Sequence, residues 1–247
     1  MTLFDLYKEE VKIDTPIRLI EAFAGYGSQS MALRNLGADF EIYRMYEIDK
    51  YAVASYNAIH GTDFKPTDIC TVKGIDMGIV DKERFTYLLT YSFPCTDISV
   101  AGRMQGMSPD SNTRSSLLWQ IKRILDELNE IDSLPQILLM ENVPAIHNGQ
   151  NIKDYQKWHE FLDGLGYSSY SQDLNAWDYG MPQSRERTFL VSILGEYSYS
   201  FPTMMELTKC TEDYFEDLNE EQAEKLVVKS QKALDLLVRL DEKKELY

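Results

Sequence analysis

Five apolar runs of seven to nine residues alternate with segments of helical spacing, which limits the chain to few folds. "IRLIEAF" (17–23) reads as a buried strand, followed by a helix from Ser28 to Asn35. "FEIYRMYE" (40–47) is strand-like and precedes a helix over about residues 50–59. "FTYLLTYSF" (85–93) leads to "SSLLWQIKRILDEL" (115–128), whose Leu118, Ile121, Ile124, Leu125 and Leu128 share one helical face. "QILLMEN" (136–142), the helical "YQKWHEFLDGLG" (155–166) and "TFLVSIL" (188–194) complete the series. Strands regularly separated by helices imply an α/β fold with a doubly wound, mostly parallel sheet covered on both faces. The 247 residues suit one such domain over residues 1–200, with 201–247 forming a linker and C-terminal helical tail. Asn219 and Gln222 make a capping box for that tail, and Ala223, Leu226, Val227, Leu234, Leu237 and Leu240 mark one face of a single helix running almost to the end. Such a helix either packs on the domain or binds a partner.

Chemistry gathers where the strands stop. The first runs into "EAFAGYGSQS", where Gly25 and Gly27 allow a sharp turn and close approach to a ligand. Ser30 replaces the third glycine of a dinucleotide fingerprint, which weakens a nicotinamide reading. The second strand ends in Glu47, Ile48 and Asp49, where a carboxylate of such a sheet grips ribose hydroxyls. A tight strand–helix turn with no ligand is the plainer account of the same glycines. Asp68 follows an expected short third strand, placed for a second polar contact or standing as an ordinary loop acid.

Cys95 stands behind Pro94 at the end of the third long run. A thiol there faces the ligand crevice of an open sheet and is a strong nucleophile toward an electron-poor ring carbon. A structural cysteine is the competing account. Residues 96–113 form a long loop containing Gly102, Gly106 and Pro109, suggesting a lid. Glu141 ends the next strand among apolar Leu139, Met140 and Val143, where desolvation would favour its protonated, proton-donating form. Its alternative is a surface acid. Gln183, Arg185 and Arg187 alternate, placing them on one face of an extended segment, to hold an anion or carbonyl or to pair with local acids.

Composition narrows the setting. Lys and Arg number 25 against 40 Asp and Glu, a net charge of −15, which repels phosphate backbones. Three cysteines, Cys70, Cys95 and Cys210, lack metal-type spacing and a disulfide framework and point to a reducing compartment. With no apparent signal peptide and no run of membrane-spanning length, the expectation is a cytoplasmic protein.

"EAFAGYGSQSMALRNLG", "YEIDKYAVASYNAIHG", "SFPCTDISVAGRMQGM", "TRSSLLWQI", "LLMENV" and "LNAWDYGMPQSRERTFLVSI" occur in that order. Together they resemble the successive motifs of the carbon-5 cytosine-specific DNA methyltransferases, over roughly residues 17–207. The resemblance implies a Rossmann-like fold binding S-adenosylmethionine through Phe23, Ala24, Gly25, Gly27, Glu47, Ile48, Asp68, Ile69, Pro94 and Leu117. It implies Cys95 as nucleophile, Glu141 at ring nitrogen 3, Arg187 and Arg185 at the base carbonyl, and flipped-out double-stranded DNA as substrate. Ser28 and Ser92 stand where the family often has glycine. The family's target-recognition domain and closing Gly-Asn-Ser-Val motif are not found in these residues. The expectation is therefore the catalytic half of a split enzyme, completed by a second polypeptide, or a shortened gene product. A methyltransferase remnant that binds cofactor or a protein partner, and an RNA-directed relative, are the other readings.

Overall fold

The structure, a computed structural model, describes residues 9–98, 106–109, 111 and 113–242. They divide into two compact units, with the chain boundary between Leu207 and Thr208. The first carries eight strands: β1 (Glu9–Glu10), β2 (Ile17–Ala22), β3 (Phe40–Tyr46), β4 (Thr86–Tyr91), β5 (Ile137–Asn142), β6 (Tyr167–Asn175), β7 (Glu186–Leu194) and β8 (Tyr197–Ser198). Its helices are α1 (Ser28–Asn35), α2 (Lys50–His60), α3 (Leu118–Glu130) and α4 (Ile152–Gly164). Six strands form the main sheet in the order β3-β2-β4-β5-β7-β6, while β1 and β8 pair separately.

β3, β2, β4 and β5 are parallel; β7 runs antiparallel to both β5 and β6. This is the doubly wound, mostly parallel sheet expected from the alternation. Successive strand side chains point to opposite faces, and Met45 and Tyr46 accordingly enter different apolar clusters. The larger takes in α3 and α4 residues Leu118, Ile121, Leu125, Trp158 and Leu162; the smaller joins Ala24, Met45, Val53 and Tyr56. Both faces are thus covered.

Local chemistry sets the element ends. Asp49 caps α2 by accepting from the amides of Tyr51 and Ala52 at 2.7 and 3.2 Å, and Gly61 closes it at φ 68°. Asp49→Ala is expected to lower stability by about 1 kcal/mol, measurable as a fall in urea midpoint.

Three expectations differ from the structure. Residues 61–68 form no strand, because Phe64 is their sole apolar side chain and Gly61 and Pro66 interrupt any ladder. β6 was not anticipated: "YSSYSQDLN" is serine-rich, and it is held by nine paired positions along β7 instead of an apolar pattern. In the second unit the single helix is two, α5 (Glu220–Leu226) and α6 (Gln231–Glu242). Val227, first of two β-branched residues, takes an extended ψ of 127° and breaks the run. The Asn219–Gln222 capping box forms at 2.9 and 3.0 Å, and α5 and α6 bury none of their side chains within this unit. Among the described residues, no helix is long and apolar enough to cross a membrane.

Candidate active site

The chain leaves β2 for β3 on one side and later returns to β4 on the other. Ligands of open α/β sheets sit at such a switch, beyond the strands' carboxyl ends. Here the loops after β2 and β4 diverge, and Gln29 spans them by donating to Ser92 Oγ at 3.3 Å. After β2 the backbone turns through left-handed conformations at Phe23 (φ 56°), Gly25 (φ 55°) and Gly27 (φ 85°). A bulky residue at positive φ is uncommon and marks a backbone held by its surroundings. A Cβ built on Gly25 would meet nothing within 4 Å, so the turn faces open space.

Glu47, at the end of β3, locks this turn. Its carboxylate accepts from the amide of Gly25 at 3.0 Å and from that of Asp49 at 2.9 Å. Ile48 beside it exposes 65% of its surface, an apolar platform next to an oriented carboxylate. Asp68 caps a short 3₁₀ turn, Ile69–Thr71, accepting from the amide of Cys70 at 2.9 Å. Ile69 and Ala24 are buried, whereas Phe23 and Leu117 are half-buried against the main core. An exposed apolar surface, an oriented carboxylate and an open glycine turn at a switch point suit an adenosyl group.

The second cluster lies at the same edge of the sheet. Cys95, a free and half-buried thiol, follows the end of β4. Asn142 ties this loop to β5, donating from Nδ2 to the Phe93 carbonyl at 3.0 Å. Glu141 precedes Asn142 and pairs in register with Phe189; Arg187 lies two residues earlier on β7 and hence on the same face. Arg187 Nε reaches Glu141 Oε1 at 3.1 Å, with side chains 22% and 25% exposed. Glu141 is therefore ion-paired and partly solvated, not enclosed by its apolar neighbours as the sequence suggested. Strand alternation turns it away from the fully buried Met140 and onto the less buried face it shares with Leu139.

Gln183, Arg185 and Arg187 do not share an extended face. β7 starts at Glu186, and the preceding chain bends, with the Gln183 amide bonding back to the Met181 carbonyl at 2.7 Å. Arg185 is exposed; its backbone is fixed by Asn175, whose Oδ1 accepts from the Arg185 amide at 3.0 Å. Half of the residues in the lid reading of 96–113, namely 99–105, 110 and 112, lie outside the described residues.

A family model for C-5 cytosine-specific DNA methylases matches residues 17–245. The chain belongs to this family. It is 34% identical over 267 aligned positions to the type II methyltransferase M2.ScrFI of Lactococcus lactis subsp. cremoris, covering 89% of this chain and 72% of that protein. It is 33% identical to the orphan methyltransferase M.SssI of Spiroplasma monobiae (73% of this chain, 60% of that one). Against M.NlaX of Neisseria lactamica the figures are 33%, 75% and 55%. The chain thus spans little more than half of two of these three relatives. Among solved structures, the Entamoeba histolytica methyltransferase EhMeth superposes with a TM-score of 0.68 at 17% identity, over 84% of this chain and 62% of that one. The Schizosaccharomyces pombe Dnmt2 methyltransferase gives 0.57 at 22%, over 76% and 52%. At these identities the likeness is one of fold.

Several residues of this methylase domain escape a reading of motifs. Glu21 lies within β2 yet is fully buried, accepting from Ser30 Oγ at 2.5 Å and from the Tyr56 hydroxyl. The serine that replaces a fingerprint glycine thus satisfies a buried carboxylate, and burial beside that acid pushes the Tyr56 hydroxyl pKa up. On the face of β7 opposite Arg187, Thr188 and His147 both bond to Asp173, at 2.5 and 3.0 Å. An acid inside an apolar strand was the available signal for Glu21; the Asp173 group has none, since its members come from three separate elements.

Proposed function

We propose that this chain carries the catalytic portion of a DNA (cytosine-5) methyltransferase. In this reading it transfers a methyl group from S-adenosylmethionine to carbon 5 of cytosine in double-stranded DNA through a covalent Cys95 adduct. The observation that supports this best is the ion-paired Glu141 and Arg187 at the sheet edge where β4 delivers Cys95.

S-adenosylmethionine, when bound, supplies an electrophilic sulfonium methyl group. Phe23, Ala24, Gly25, Gly27, Glu47 and Ile48 would hold its adenosyl part, with Asp68, Ile69, Pro94 and Leu117 along the same crevice. Cytosine carbon 5 is too weak a nucleophile to take that methyl unaided. Cys95, as thiolate, adds to carbon 6 and gives carbon 5 enamine character. Glu141, in its acid form, would give its proton to ring nitrogen 3 and so neutralise the charge that develops there, while Arg187 orients the carboxyl group and offers its remaining donors to the base carbonyl. Arg185, exposed just before β7, would reach the same carbonyl when the base is bound. After carbon 5 has taken the methyl, nitrogen 3 returns its proton to Glu141, water takes the carbon-5 proton, and departure of the Cys95 thiolate restores the aromatic ring. The target atoms lie inside a base stack, so the cytosine must be extruded first.

A net charge of −15 is poor for holding DNA. Target recognition therefore belongs to a further part, carried on a second polypeptide or by a C-terminal continuation. The cytoplasm, which combines accessible bacterial DNA with reduced thiols, is the setting for this chemistry.

Labelled S-adenosylmethionine and mixed duplex DNA, with and without the protein encoded next to this one, test the proposal. Methyl transfer to cytosine is expected under complementation; none under any condition would leave a cofactor-binding remnant. In the active assembly, Glu141→Gln is expected to lower kcat by about 100-fold, and Arg187→Ala similarly. The KM for S-adenosylmethionine should hold steady, since neither side chain belongs to the adenosyl crevice. Unchanged kcat in both variants would remove Glu141 from the chemistry.

A further inference from the structure

Cys95 sits in a loop, yet the backbone on both sides of it is bonded to a single buried serine. Ser115 has no exposed surface. Its Oγ donates to the carbonyl of Pro94 at 2.7 Å, the residue before the thiol. The same Oγ accepts from the amide of Asp97 at 3.4 Å, two residues after it. Asp97 is also buried, at 7% exposure, and its Oδ2 accepts from the amides of Arg114 and Ser115 at 2.8 and 3.3 Å. Those amides open the 3₁₀ turn Arg114–Leu117 that continues directly into α3. Helix starts leave such N–H groups without intrahelical partners, and a carboxylate satisfies them while favouring the dipole. Two further bonds close the neck: the Asp97 carbonyl accepts from the Gly106 amide at 3.0 Å, and Thr113 Oγ1 donates to the Gly106 carbonyl at 2.9 Å. Trp119 of α3 adds a bond from Nε1 to the Met107 carbonyl at 2.7 Å.

We propose that Ser115 and Asp97 are positioning residues for Cys95: together they clamp the chain on both sides of the thiol to the start of α3, whose apolar face is fixed in the core. The inference rests on Cys95 being the nucleophile. A nucleophile on an unsupported loop samples many positions, and a displacement of about 1 Å can cost roughly 100-fold in rate. Pro94 alone stiffens one φ and leaves Cys95 free to swing about the bonds that follow. Ser115 removes that freedom from the preceding side, Asp97 from the other. α3 provides the rigid anchor, burying Leu118, Ile121, Ile124, Leu125 and Leu128.

The test uses the full chain with Ser115→Ala, Asp97→Ala, Asp97→Asn and, as a control for plain destabilisation, Leu128→Ala at the far end of α3. Two quantities are read: methyl transfer in the complemented assembly, and the rate at which iodoacetamide alkylates Cys95, mapped by mass spectrometry. Cys70 and Cys210, both exposed, serve as internal references. Ser115→Ala and Asp97→Ala are expected to lower kcat by about 10- to 100-fold while KM for S-adenosylmethionine holds. Alkylation of Cys95 should rise about 5-fold relative to the two references as the thiol is released. Asp97→Asn, whose amide oxygen still accepts from the Arg114 and Ser115 amides, should recover most of both. The proposal is overturned if the alanine variants match the parent, or change Cys95 alkylation no more than Leu128→Ala does. If the parent transfers no methyl group under any complementation, the functional reading falls, and the alkylation rates decide the positioning role by themselves.

Discussion

Cys95→Ser is expected to abolish methyl transfer, by about 1,000-fold or more, while S-adenosylmethionine still binds. A serine hydroxyl is nearly isosteric with the thiol but is almost wholly protonated near neutrality and far less nucleophilic toward a ring carbon. Without addition at carbon 6, carbon 5 keeps its aromatic electron demand and does not attack the methyl group. The cofactor crevice should be spared, because in the proposed reading its polar grip would come from Glu47 and the Phe23–Gly27 turn, which follow β3 and β2 rather than belonging to the Cys95 loop. Filter-bound transfer of labelled methyl groups, run beside calorimetric titration of the cofactor, separates the two effects. Retained transfer in the serine variant would remove the covalent route.

Gly27→Ala should be the most damaging single methyl group in the cofactor loop. The residue sits at φ 85°, and an added Cβ would lie 2.6 Å from Tyr56 Cε2 and 2.4 Å from His60 Nε2. His60 is half-buried and could swing aside only by breaking its contacts with the Tyr26 carbonyl and with Arg34, both at 3.0 Å. Tyr56 cannot, since it is fully buried with its hydroxyl on Glu21. Left-handed strain and overpacking together are expected to cost about 3 kcal/mol, read from urea unfolding. Gly25→Ala is the informative contrast. Its Cβ would meet nothing within 4 Å, at φ 55°. It should lose only about 1 kcal/mol from backbone strain. Its cofactor affinity should suffer instead, because the new methyl group fills the space facing the crevice. Equal stability losses in the two variants would contradict this division between a packing glycine and a ligand-facing one.

The legible part of the molecule was the part written in local pattern. α1 falls on the expected Ser28–Asn35, and β2, β3, β4, β5 and β7 lie within a few residues of their apolar runs. Parallel strands buried on both faces are continuous apolar stretches, and these stand out in any window of the chain. Cys95, Glu141 and Glu47 were legible because strand ends at one edge of such a sheet must converge on one crevice. β6 was not, since its serines and tyrosines satisfy no apolar period and its stability comes from the ladder to β7. Nor was the break between α5 and α6, where helical spacing continues through two valines that do not remain helical.

Sequence alone therefore determined the class of sheet, the order of its strands' motifs and the residue types at its ligand edge, because all of these follow from periodicity and chain order. Tertiary structure decided the state of those residues. It paired Glu141 with Arg187 and left Arg185 outside, since a diagonal contact between antiparallel strands depends on register. It also buried Glu21 on Ser30 and Tyr56, and bracketed Cys95 between the bonds of Ser115 and Asp97. These partners stand between 9 (Glu21–Ser30) and 46 (Glu141–Arg187) positions apart in the chain. Hydrogen bonds and ion pairs act over about 3 Å in space, so partners that far apart along the chain become visible only once the fold has brought them together.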